Sequence, residues 1–225
     1  MTVARKLYWG VGVLSVLIFI SSFFMPGQLA EKTDFPWHIE HLPADKIRIF
    51  GLILGQSTTH EAEQRFKENA KPSLFKSPDG QLVVEMFFEQ VTLAGLKSKI
   101  VASIAVPDAE LQGMYERGLR VSGTGNGKKI TLMPDDVTRA RMLPITGLTY
   151  LPTVRLDEKI IVMRFGPPAK YIRERKSGAV HWLYPQHGLD ITLGDSEKPV
   201  LQYVSPKEFD RLLQPLLVNG EVMGQ

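Results

Sequence analysis

Residues 164–194 read RFGPPAKYIRERKSGAVHWLYPQHGLDITLG. Gly-Pro-Pro halts what precedes it, and three strand-length runs follow: YIRER, AVHWLYP and LDITLG. The turns between them, KSG and QHG, are too short for anything but antiparallel neighbours. Side chains on a strand alternate between two faces. Val180, Trp182 and Tyr184 therefore fall on one face, with Leu189, Ile191 and Leu193 on the next strand. The pattern predicts that these pack under a helix, while His181, Leu183, Asp190 and Thr192 form part of an open sheet face. A further turn, DSEKP, leads to a fourth strand, VLQYV. Then SPKEFDRLLQPLL starts a helix with Ser205 as cap, Pro206 in the first turn and Glu208 closing a capping box. Its apolar side is Phe209, Leu212, Leu213 and Leu216, and the last nine residues read as frayed. Upstream, Asp157 caps the helix EKIIVMRF.

The same plan occurs earlier. Ser57 is placed to cap a helix over 58–69, which Pro72 stops. SLFKSPDGQLVVEMFFEQVTLAGLKSKIVASIAVP, 73–107, then reads as an antiparallel meander with PDG as a turn. On its second strand Leu82, Val84, Met86 and Phe88 share one face. The other face carries Val83, Glu85, Phe87, Glu89 and Val91, an unusual mixture for a solvated surface. Between the two segments lie a helix capped by Asp108, a loop GTGNGKK, a strand ITLM and a helix capped by Asp135. The run PITGLTYLPTVRL, 144–156, is given no element of its own.

Both helix-then-meander segments resemble the SmpA/OmlA (BamE-like) family of small periplasmic domains, with a β-lactamase-inhibitor-protein-like fold. GQSTTHE matches that family's helix start at Gly55, Ser57 and Glu61. RFGPP matches its helix end at Gly166 and Pro168, and HWLYPQHGLDI its strand–turn–strand ending. The resemblance implies a non-catalytic protein-binding module. The family is usually lipidated and single-domain, whereas this chain has no cysteine and two such segments, so outer-membrane location and barrel assembly are not carried over.

The amino terminus sets the remaining expectations. Residues 7–25 are uncharged and mostly apolar, long enough as a helix to span about 28 Å. Arg5 and Lys6 precede them, which favours a cytoplasmic N-terminus. QLA, ending at Ala30, is a poor cleavage site because Gln28 stands where a small residue is wanted, so an uncleaved anchor is expected. The formal charge is +3, and Arg5 and Lys6 supply two of it, leaving +1 on residues 31–225. That small excess gives no basis for nucleic-acid binding. With no cysteine there is no disulfide, thiolate nucleophile or cysteine-bound metal.

Candidate chemistry is sparse. His38 and His41 sit between Pro36 and Pro43, where a helix that would align them is disfavoured, and no third ligand is evident. No serine or carboxylate is placed by sequence to complete a triad with His181 or His187. Glu85 and Glu89 would stand about 13 Å apart on a strand, too far for a glycosidase pair. SGTGNGKK lacks the first glycine and the final Ser/Thr of a phosphate loop. KYIRERK divides its basic residues between two faces and reads as a solvated edge strand.

The expected architecture is α+β: an N-terminal transmembrane helix followed by two small modules, each with helices packed on an antiparallel β-meander. The expected boundaries are a cytoplasmic tail 1–6, anchor 7–25, linker 26–46, module 47–121, module 122–216 and flexible tail 217–225. The expected location is the bacterial inner membrane, single-pass, with the bulk periplasmic. The expected role is a non-catalytic accessory or scaffold protein of a cell-envelope complex, without cofactor or metal, binding a protein partner in the inner membrane or periplasm. The candidate binding residues are Val83, Glu85, Phe87, Glu89, Val91, His181 and Leu183. The rival role is a carrier of a lipid or other amphiphile in a cleft between the modules.

Overall fold

The computed structural model of the chain describes residues 34–125, 127–194 and 198–223. Its centre is the stretch 144–156, which carries no clear element signal in the sequence. Ile145–Pro152 forms a strand, β9, that pairs on one side with β6 (Leu96–Ile104) and on the other with β13 (Val200–Val204). Leu148 and Tyr150 face the core there, opposite Ala102 and Ile100 on β6 and Tyr203 and Leu201 on β13. Gly147 lets the neighbour come close: a Cβ would stand 3.2 Å from the Tyr203 carbonyl oxygen.

Outward from β9 the two meanders run in mirrored order. On one flank are β6, β5 (Leu82–Leu93) and β4 (Lys71–Lys76), extended by β8 (Gly127–Thr131) and β7 (Arg120–Thr124). On the other are β13, β12 (Leu189–Leu193), β11 (Val180–Tyr184) and β10 (Lys170–Glu174), extended by β14 (Gly220–Met223). The result is one 11-stranded sheet, every pair antiparallel. Three further strands, β1 (Glu40–Leu42), β2 (Lys46–Ile49) and β3 (Leu52–Ile53), make a small antiparallel sheet.

The front face of the large sheet is covered. Helices α1 (Thr59–Phe66), α2 (Asp108–Glu116), α3 (Pro134–Arg141) and α4 (Glu158–Phe165) and the small sheet share one apolar core with it. Phe50, after β2, is fully buried with its ring 5.1 Å from Tyr150 and 5.9 Å from Tyr203. Phe66 meets Phe88 edge-on at 5.1 Å, and Tyr171 meets Trp182 likewise. Val180, Trp182 and Tyr184 face this core, as their alternation implies. Among the described residues the back face carries one helix, α5 (Asp210–Asn219), whose Leu212, Leu213 and Leu216, with Phe209, pack on Ile172, Leu183 and Val204.

Several expectations are corrected. The fold is mainly β, not two separate meander modules, because β9 hydrogen-bonds both meanders and their apolar faces form a common core. The expected division at 121/122 falls inside β7, and the described residues form one compact unit. Residues 34–46 are no free linker: Tyr203 donates to the Pro36 carbonyl at 2.8 Å, and Arg65 pairs with Asp34 at 2.5 Å. GTGNGKK lies largely within the β7–β8 hairpin rather than forming a loop. KYIRERK is not at the edge, and 217–225 is no frayed tail through Met223, because α5 runs to Asn219 and β14 pairs with β10. Ser57 is buried with its hydroxyl accepting from Ile53 N–H, so Thr58 caps α1 instead. Asp157 caps α4 as expected, accepting from Ile160 N–H at 2.8 Å. Asp108 and Asp135 lie inside their helices' first turns, after the cap positions Pro107 and Met133. Ser205 makes no side-chain cap, and a 3-10 turn, Pro206–Glu208, precedes α5.

The transmembrane helix and signal anchor are also withdrawn, and with them single-pass inner-membrane location. Among the described residues no helix is long and apolar enough to cross a membrane, and the stretch 7–25 lies outside them.

Candidate functional site

The back face of the sheet is unevenly covered. α5 lies over the β10–β11–β13 region, and α1 to α4 pack into the front core. On β5, Val83, Glu85 and Phe87 point to this back face, half-buried. Their register neighbours are Phe75, Ser73 and Lys71 on β4, with Ser103 and Val101 on β6 beside Glu85 and Phe87. The result is an apolar patch of Phe75, Val83, Phe87 and Val101 in which a single carboxylate, Glu85, is embedded. Burial raises the Glu85 carboxyl above its ordinary range. Lys99 Nζ lies 5.8 Å from the centre of the Phe87 ring, so the patch has a cationic rim.

Between this patch and α5 runs a groove of about 690 Å³. Small residues, Ser103 and Gly147, and the polar Thr149 and Gln202 form its sheet side, with Glu85. Arg211 and Gln214 of α5 face it across the groove.

The expected binding residues fall into three groups. Val83, Glu85 and Phe87 stand together on the open part of the back face. Glu89 is part-exposed and tied to Lys71, whose ammonium holds the carboxyl below its usual range. Val91 is not on this face. A register shift between Phe88 and Val91 resets the alternation, and Val91 is fully buried in the front core. His181 and Leu183 do lie on the back face, but under cover: Leu183 is 1% exposed in the α5 cluster and His181 9%. They are not part of an open docking surface.

His181 has a partner that sequence reasoning missed. Asp190 Oδ2 stands 2.7 Å from His181 Nδ1, with Thr192 Oγ1 at 3.2 Å. His181 is registered with Thr192, so Asp190 sits diagonally across, on the same face. Alternation had placed both residues there; only the pairing register was lacking. Asp190 is 1% exposed, and its Oδ1 has no partner. Burial pushes this carboxyl up against the opposing pull of His181.

A second histidine pair joins distant parts of the chain. His41 on β1 and His187 in the 3-10 turn Pro185–His187 are 3.0 Å apart, Nε2 to Nδ1. Burial, then His41, lowers the His187 pKa. A base whose pKa is depressed by folding contributes stability above its unfolded pKa and loses it as pH falls through the folded value. Stability is therefore expected to be level above pH about 6.5 and to decline below it. His187→Gln is expected to flatten that slope in urea midpoints taken across this range; an unchanged slope contradicts the assignment. His38 is exposed and not paired with His41 as a ligand set. Among the described residues no group of three His, Cys, Asp or Glu side chains gathers to hold a metal.

Two more recesses lie on the front. One of about 620 Å³ has Trp182 and Tyr171 with Arg155 and Arg173. One of about 290 Å³ is mostly apolar, with Trp37, Leu96 and Met163. Compared with protein-family models, characterised proteins and solved structures, the chain finds no match.

Proposed function

We propose that the chain is a non-catalytic protein-binding module, an accessory or scaffold subunit that docks a partner protein on the open half of its back face. The observation that carries this is the uneven cover of that face. α5 packs over Ile172, Leu183 and Val204, while Val83, Phe87 and Val101 on the same sheet lie beyond it. Apolar side chains grouped on an otherwise solvated sheet face mark an interaction site more often than chance placement does. Glu85, raised by its apolar surroundings, gives the patch a polar anchor a partner donor can pair with. The repeated order of helix then meander supports the resemblance to the SmpA/OmlA family, and that family's binding role agrees with this reading. A lipid carrier would need an enclosed, mostly apolar cavity. The groove beside the patch is instead of mixed lining, with Glu85, Thr149, Gln202 and Arg211 beside Leu148, Leu212 and Pro215.

The test is co-purification of the full-length chain from its native cells in mild detergent, with proteomic and lipid analysis of the same sample. A stoichiometric protein partner is expected, and Phe87→Ala is expected to reduce its recovery about tenfold or more. Undiminished recovery with Phe87→Ala, or retained lipid without protein, overturns the proposal.

A further inference from the structure

Among the described residues the large sheet ends at β7, which has β8 as its one strand neighbour. Every residue of β7 is exposed. Leu119 just before it is 60% exposed and Val121 within it 53%. An edge strand presents the N–H and C=O of alternate residues unpaired, and such edges are ordinarily guarded by proline, a bulge, an inward charge or a covering element. β7 contains no proline, and the pairing of Arg120 through Thr124 with Thr131 through Gly127 runs without a shift. What guards it is charge of one sign. From Arg117 to Thr131 the chain carries Arg117, Arg120, Lys128 and Lys129 and no acidic residue.

Only one of these charges is neutralised nearby. Arg117 binds Asp136 at 2.5 Å and 2.9 Å. Arg120 and Lys128 form no ion pair among the described residues. Lys129 lies 5.9 Å from the Phe75 ring centre. Register puts Lys128 beside Lys76 on one face of the sheet and Lys129 beside Phe75 on the other. The free edge is thus basic on both faces, with Val121, beside Arg120, as an apolar hold. A second copy of the chain adding here by its own β7 would set like charges against one another, which cross-strand pairing penalises.

We infer that β7 is a docking edge for an extended, acidic segment of a partner protein, which adds to the sheet as a further strand. Main-chain hydrogen bonds to β7 supply the attachment; acidic side chains at alternate positions of the added strand reach Arg120 and Lys129, which share one face of the hairpin, and the apolar ones between them lie on the face of Val121. This rests on the reading of the chain as a protein-binding module and gives it a second contact of defined chemistry, apart from the Phe87 patch.

The test uses the full chain and synthetic peptides alternating valine with glutamate, valine with lysine, or valine with glutamate and interspersed proline. The glutamate peptide is expected to bind, to slow amide exchange across β7, and to weaken as salt is raised. Arg120→Ala with Lys129→Ala is expected to weaken it about five- to tenfold, and Phe87→Ala to leave it unchanged. The lysine and proline peptides are expected not to bind. Absence of binding, equal binding of the lysine peptide, or binding that leaves β7 amides unprotected overturns the inference. Because exchange is read on the unaltered chain, the result does not depend on the variants folding. If the partner is captured through Phe87 while the peptide fails, only the edge inference falls; if the peptide binds and partner capture does not depend on Phe87, only the patch reading falls.

Discussion

Thr149→Pro is expected to unfold both flanks of the sheet together. Thr149 lies in β9 between Val101 on β6 and Gln202 on β13. A residue of a central strand gives its N–H to one neighbour or the other, and proline has none to give. The loss strands a buried carbonyl and forces the ring against the adjoining strand, at a cost of at least about 3 kcal/mol. That is a large part of the stability of an ordinary domain. Since the halves share β9 and one front core, Trp182 in the C-terminal flank and the amides of β5 are expected to lose protection in one step. Amide exchange checks this. Retention of native protection in either flank would show that β9 does not join them.

Phe88→Ala is expected to be nearly as damaging, costing about 3–5 kcal/mol in denaturant unfolding. Phe88 is 0% exposed and meets Phe66 of α1 edge-on. Its removal leaves a cavity under α1, whose buried face is small, consisting of Thr59, Ala62 and Phe66. Refilling is therefore limited, because few side chains are at hand to move. A loss below about 1 kcal/mol would contradict a packed front core.

Much of this arrangement can be read in the sequence. Alternation assigns Val84, Met86 and Phe88 to one face and Val83, Glu85 and Phe87 to the other, and short turns around Gly178 and Gly188 specify antiparallel pairing. Gly188 is required by its turn: its φ is +59°, and a Cβ would stand 1.9 Å from the Val204 carbonyl oxygen. Four features are not readable by the same means. β9 holds Gly147 and ends on Pro152, residues that usually argue against a strand, and its identity depends on two neighbours distant in sequence. Val91 changes face because one register shift is invisible to strict alternation. The cover over Leu183 comes from α5, whose apolar side is plain in sequence but whose choice of sheet face is not. Asp190 reaches His181 only once β11 and β12 are in register.

The open face is tested most directly by the thermal melt of Phe87→Ala, set beside that of Phe88→Ala. The two side chains are adjacent in sequence and point to opposite faces of one strand. For a half-buried docking residue on the open face, Phe87→Ala should cost no more than about 1 kcal/mol, a shift of about 2–4 °C for a chain of this size. A loss of about 3–5 kcal/mol, equal to that of Phe88→Ala, would mean that Phe87 is internal packing and would contradict the docking face.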